Sequence, residues 1–202
     1  MGIAMTYGNI SKFMTRPESQ GGMEMQPLMS NLGYQFEVQY VGTENFSALF
    51  EFIPMLNGLE QGKFLPSMSF LNGFRFGEAG WEFAFGPSFG IQKVSTGFFD
   101  DHGKLSNDYG RYWSTTDLRN AGYTATDEYL QTLSSDYYLD KHLDKRGDLK
   151  LATRWVLAFG RTFKSGALNI PVNMYYTSLK GGGMLGLSVG FNITRSKQRI
   201  NK

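Results

Sequence analysis

A chain of 202 residues with a formal net charge of +2 and 19% charged residues suits one domain and is too evenly charged to mark a nucleic-acid binder or a polybasic membrane patch. The absence of cysteine excludes disulfides and thiolate metal sites and is compatible with an oxidising compartment. Aromatic residues reach 15%, yet no apolar run approaches the 18 or so residues of a membrane helix and the mean hydropathy is only −0.31. These values suit a lipid-facing barrel, whose alternating pattern hides its hydrophobicity from any windowed average.

At the start, Ile3, Met5 and Tyr7 alternate with Ala4 and Thr6, as in a strand. Met1 to Tyr7 has neither a charged start nor a long apolar core, so a secretory signal is expected to have been removed. Residues 9–31, with Pro17, Gly21, Gly22 and Pro27, read as a loop. Leu32, Tyr34, Phe36, Val38 and Tyr40 then alternate with polar residues, and Phe46, Ala48, Phe50 and Phe52 follow after a short link.

The longest alternating stretch is 64–94, folded back at Gly77-Glu-Ala-Gly80. A hairpin there sets Phe76 opposite Trp81 and Arg75 opposite Glu82, an aromatic pair on one face and an ion pair on the other. Strands of about 13 residues exceed the 5–6 usual in soluble sheets and suffice for a tilted membrane strand of about 9–11. Periodicity vanishes from 95 to 148, which reads as a long loop, with a short helix expected after Thr124. Strands resume over 149–163, 167–176 and 185–193, and a basic tail covers 195–202.

The expectation is all-β: one eight-stranded antiparallel transmembrane β-barrel over residues 1–202, with short turns on one rim and long extracellular loops on the other. That layout resembles the small outer-membrane barrels of the OmpA/OmpX type in Gram-negative bacteria across the whole chain. The resemblance is architectural and rests on no residue motif. It implies an outer-membrane location and contact with the bilayer and its lipopolysaccharide. Trp81, Phe76, Phe83 and Phe163 fall where an aromatic girdle forms at the periplasmic rim. Barrels of this type often end on an aromatic residue, whereas here Phe191 and Ile193 precede a basic tail.

Glu37, Glu51, Arg75, Glu82 and Arg154, together with Lys150, fall on the polar face and are expected to form a paired charge network inside the barrel. Tyr109, Tyr112, Trp113, Tyr123, Tyr129, Tyr137 and Tyr138 are the candidate partner-binding rings of the long loop, set against the alternative that they pack the loop on itself. The leading expectation is a non-enzymatic structural or adhesive protein, or an accessory subunit of a larger outer-membrane complex. His102 and His142 lie near loop serines and acids, and small barrels that modify lipid A use such sets, so a hydrolase or acyltransferase is the catalytic alternative. A soluble lipocalin-like barrel with the aromatic face inward uses the same alternation. Met14, Met23, Met25 and Met29 form a thioether cluster, and Asp140, Asp144 and Asp148 match no EF-hand spacing, so no metal or other cofactor is assigned.

Overall fold

The computed structural model describes residues 1–77, 79–100, 105, 110–122, 140–165, 168–179 and 181–193. They fall into two compact units: 1–9, 27–91 and the described residues from 152 onward in the first, and 10–26 with 92–151 in the second.

The first unit is a closed, antiparallel, eight-stave β-barrel. Its staves are β1 (Gly2–Gly8), β2 with β3 (Leu28–Gly33 and Phe36–Gly42), β4 (Phe46–Asn57), β5 (Leu65–Phe76) and β6 (Trp81–Asp100). After β7 (Arg111–Ser114) and β8 (Asp140–Leu143) of the second unit come β9 (Asp148–Ser165), β10 (Leu168–Leu179) and β11 with β12 (Gly182–Val189 and Asn192–Ile193). Each stave pairs with its neighbour in sequence, and β1 closes the ring on β11 from Gly2↔Ser188 to Gly8↔Gly182. At the 77–80 turn the expected register holds, with Arg75↔Glu82 and Phe76↔Trp81.

Prolines explain where the staves break. Pro54 has no N–H to give the adjoining stave, although its carbonyl accepts from Tyr34 N at 3.1 Å, and that stave divides into β2 and β3 at 34–35. Pro171 accepts from Gly190 N at 2.9 Å with nothing to return, and the last stave divides into β11 and β12 at 190–191. The ladder between β5 and β6 skips from Ser69↔Ser88 to Asn72↔Phe85, beside Pro87.

Strand alternation sends the large apolar side chains outward. Ile3, Met5, Phe85, Leu157, Met174 and Leu187 are all exposed, whereas Ala4, Thr6, Leu71, Ala84 and Val156 on the intervening positions are buried. This is the reverse of the lipocalin-like arrangement. Outward rings form a cross-strand series, Phe36 to Phe52 at 5.9 Å, Phe52 to Phe70 at 5.0 Å and Phe70 to Phe89 at 6.0 Å between centroids. At the short-turn rim Trp81 stacks on Phe159 at 5.3 Å, and the Arg161 guanidinium lies 5.6 Å from the Trp81 ring and 5.1 Å from that of Phe163.

The second unit replaces much of what reads as loop. Residues 9–15 form helix α1 (Asn9–Thr15), β2 begins at Leu28, and β6 continues to Asp100, where it pairs with β7 and β8. The continuation of β6 is hidden in sequence because Gly97 and Asp100 sit at buried positions that pattern reading counts as polar. Helix α2 (Thr115–Asn120) starts on a capping box, in which the Ser114 side chain accepts from Asp117 N while Asp117 accepts from Ser114 N. Its core contains Phe98, Tyr112, Leu118 and Met14. The helix expected after Thr124 and the 195–202 tail lie outside the described residues.

Candidate functional site

Inside the barrel, the hairpin register places Arg75 and Glu82 on facing positions, and Arg75 Nε donates to Glu82 Oε1 at 2.5 Å. The same guanidinium reaches Glu37 Oε2 at 3.6 Å, and Thr162 Oγ1 donates to Glu82 Oε1 at 2.6 Å. Glu37 and Glu51 are themselves ladder partners. Like charges in that relation repel, so Arg75 is the cation that lets the three carboxylates share one end of the interior. Glu51 folds over Gly73, where a Cβ would run into its carboxylate. Of the network expected among Glu37, Glu51, Arg75 and Glu82, Arg75 pairs with Glu37 and Glu82, and Glu51 adjoins them through its register with Glu37.

Arg154 stands apart from it. Its guanidinium lies against Gly90, which pairs with Ser67 at the end of the β5–β6 ladder opposite to Arg75 and Glu82. Its Nε is buried without a hydrogen-bond partner among the described residues, as is Ser69 Oγ. Lys150, expected to point inward with Arg154, is exposed instead, because β9 belongs to the second unit until residue 152. Between the two charged ends, Leu71, Ala84 and Val156 form a buried apolar cluster with Ile53, Ala158 and Tyr175 against it. A cavity of about 380 Å³ runs past Arg154, this cluster and the glutamates.

The second unit carries a polar network of its own. Asp144, 0% exposed, accepts from Ser95 Oγ at 2.7 Å, Arg146 N at 2.8 Å and Arg146 Nε at 3.1 Å. Burial pushes the Asp144 carboxyl up, and the Arg146 and Ser95 hydrogen bonds outweigh it, holding the group below the usual range. Arg146 also grips Asp117 with two nitrogens, at 2.7 and 2.9 Å, and its hydrogen bonds to Asp144 above all, then to Asp117, outweigh burial and hold its own value above the ordinary one. Lys145 N donates to Gly21 O at 2.7 Å and its ammonium pairs with Glu18 at 2.6 Å, tying in the segment after α1. Arg16 lies 4.7 Å from the Tyr112 ring centre, and burial lowers its value.

Of the proposed partner-binding rings, Tyr112 is 1% and Trp113 7% exposed, so both pack within the unit. Tyr109, Tyr123, Tyr129, Tyr137 and Tyr138 lie outside the described residues, as does His102. His142 sits edge-on to Phe99 and Tyr112, at 5.0 and 5.5 Å between centroids. Ser95 is its ladder partner, yet the Ser95 hydroxyl donates to Asp144. Met14, Met25 and Met29 are buried. Among the described residues, no group of three or more His, Asp or Glu side chains is placed to hold a metal ion.

The sequence signal for Arg154 as a separate site was its phase on β9. Ser69 and the central role of Asp144 had no signal beyond residue type. No protein-family model, curated protein or solved structure matches this chain.

Proposed function

We propose that the chain is an integral protein of the Gram-negative outer membrane that acts without catalysis, as a structural or adhesive barrel or an accessory subunit of a larger outer-membrane complex. The observation that carries this reading is the outward face of the closed ladder, apolar on every stave, from Ile3 and Phe50 round to Leu157, Met174 and Leu187. Soluble monomers rarely expose a contiguous apolar patch beyond a few hundred Å². A closed barrel pairs its backbone groups internally, which is what hydrocarbon demands of a spanning sheet. The ring of Trp81, Phe159 and Phe163 with Arg161 suits a membrane–water interface.

The second unit, with its own core and ion pairs, supplies the ordered scaffold on which the 95–148 segment meets a partner. A non-catalytic role is supported by the Ser95 hydroxyl donating to Asp144, whose carboxylate Arg146 also holds, an arrangement that ties loops together. Membrane fractionation with heat-modifiable gel migration tests the reading, followed by pull-down from mild detergent. Retention in the outer membrane with faster migration before heating is expected, whereas a protein soluble without detergent overturns it.

A further inference from the structure

The interior cavity is built in tiers that point to a ligand. At one end stands Arg154, whose buried Nε has no partner among the described residues, with Ser69 Oγ equally unsatisfied among them on the same cavity wall. Buried polar atoms are nearly always hydrogen-bonded, so two orphaned donors lining one cavity call for an acceptor. The middle tier is the apolar cluster of Leu71, Ala84 and Val156. Arg75 and Glu82 stand at the far end of the same strands, eight residues from Ser67 along β5 or about 26 Å at a strand's rise, and Glu51, the ladder partner of Leu71, turns its carboxylate over Gly73 toward that end, so that Arg154 has no carboxylate partner among the described residues. Water would satisfy Arg154 and Ser69 but would also wet the apolar tier, whereas a molecule with an anionic head and an apolar chain suits both.

We propose that the barrel interior binds a single-chain anionic amphiphile, a fatty-acid-like monocarboxylate, with its head on Arg154 and Ser69 and its chain along Leu71, Ala84 and Val156. The volume of about 380 Å³ falls within the roughly 300–1,000 Å³ of small-molecule sites. Leu32, Tyr34 and Phe191, each more than half exposed, line the same cavity as the fully buried Ser69. A bilayer round the barrel would be the source of such a ligand, and in this respect the inference rests on the membrane reading.

The test uses the full chain in phosphatidylcholine nanodiscs with radiolabelled dodecanoate, after subtracting uptake by empty discs. Saturable one-to-one binding is expected, at least tenfold weaker in Arg154→Met and intermediate in Arg154→Lys. Dodecanol, which keeps the chain, and butanoate, which keeps the anion, should each bind at least tenfold more weakly than dodecanoate. Wild-type affinity in a folded Arg154→Met, or uptake no greater than in empty discs, overturns the proposal. If Arg154→Met does not migrate as a folded barrel, Ser69→Ala takes its place, with a loss of about threefold expected and an unchanged affinity overturning the site. A chain that never enters the discs defeats the membrane reading, whereas one that enters and takes up no dodecanoate defeats this inference alone.

Discussion

Arg75 and Glu82 face each other across the 77–80 turn with Nε and Oε1 2.5 Å apart, and this one pair organises an interior that also holds Glu37 and Glu51. Removing one partner of a fully buried pair leaves the other charge uncompensated, which costs about 3–5 kcal/mol. Arg75 and Glu82 are half-buried, so Arg75→Met should destabilise the barrel by less than that amount in reversible urea unfolding from lipid. The double replacement Arg75→Met with Glu82→Gln should recover part of the loss, and simple additivity in that cycle would mean the pair is not coupled.

Gly73 and Gly86 occupy interior positions for different reasons. A methyl at Gly73 meets the Glu51 side chain, which can swing aside, whereas one at Gly86 meets the Phe70 carbonyl and Leu71 Cα, which are backbone. Overpacking costs about 1–3 kcal/mol. Gly86→Ala should fall at the upper end of that range and Gly73→Ala at the lower end. The same unfolding titration reads the order.

Asp144 gives the second unit its acid sensitivity. Its folded value lies below that of an unfolded aspartate, about 3.9, so its contribution is complete above that pH and disappears as pH falls through the folded value. Limited proteolysis within 10–26 and 92–151 should accelerate below about pH 4 while the barrel's strand signal persists. Asp144→Asn should cleave readily at neutral pH and lose that acid step, because hydrogen bonds to a charged group contribute about 1.5–3 kcal/mol each.

The facing of the tryptophans separates the two units spectroscopically. Trp81 and Trp155 point outward and are 45% and 60% exposed, against 7% for Trp113. In bilayers containing brominated lipid, a chain retaining only Trp81 or only Trp155 should be quenched strongly, and one retaining only Trp113 should not. Equal quenching of all three would contradict the outward aromatic face.

Leu187 lies on the outward face opposite Ile3 and Met174, which are also exposed. Leu187→Arg should cost about 2–4 kcal/mol if that face meets the bilayer midplane. An effect within experimental error would place water, not hydrocarbon, against β11.

Much of the barrel was legible because a two-residue period survives wherever one face is apolar, and Arg75 opposite Glu82 followed from turn length alone. The second unit was not, since its strands are short, Gly97 and Asp100 are buried within β6, and its order depends on Arg146 bridging Asp144 and Asp117, residues 27 positions apart at the ends of that bridge. Tyr112 and Trp113 looked like anchors for a partner because residue type does not reveal which side of a loop a ring faces. Arg154 lines the interior cavity apart from the acidic end, and that separation is a matter of position along the barrel, which pattern reading of single strands does not resolve.

Every ladder of the barrel except one joins staves that follow each other in the chain, most of them through hairpins, although β6 and β9 are separated by β7 and β8. The exception is the seam between β1 and β11, where the Met1 and Val189 backbones bond each other across 188 positions. The entropy of bringing those ends together is repaid only once the intervening staves are in place. The cylinder is therefore zipped last at this seam, and a curved, open sheet with β1 and β11 as its two free edges is the intermediate that assembly must protect from pairing with a second chain.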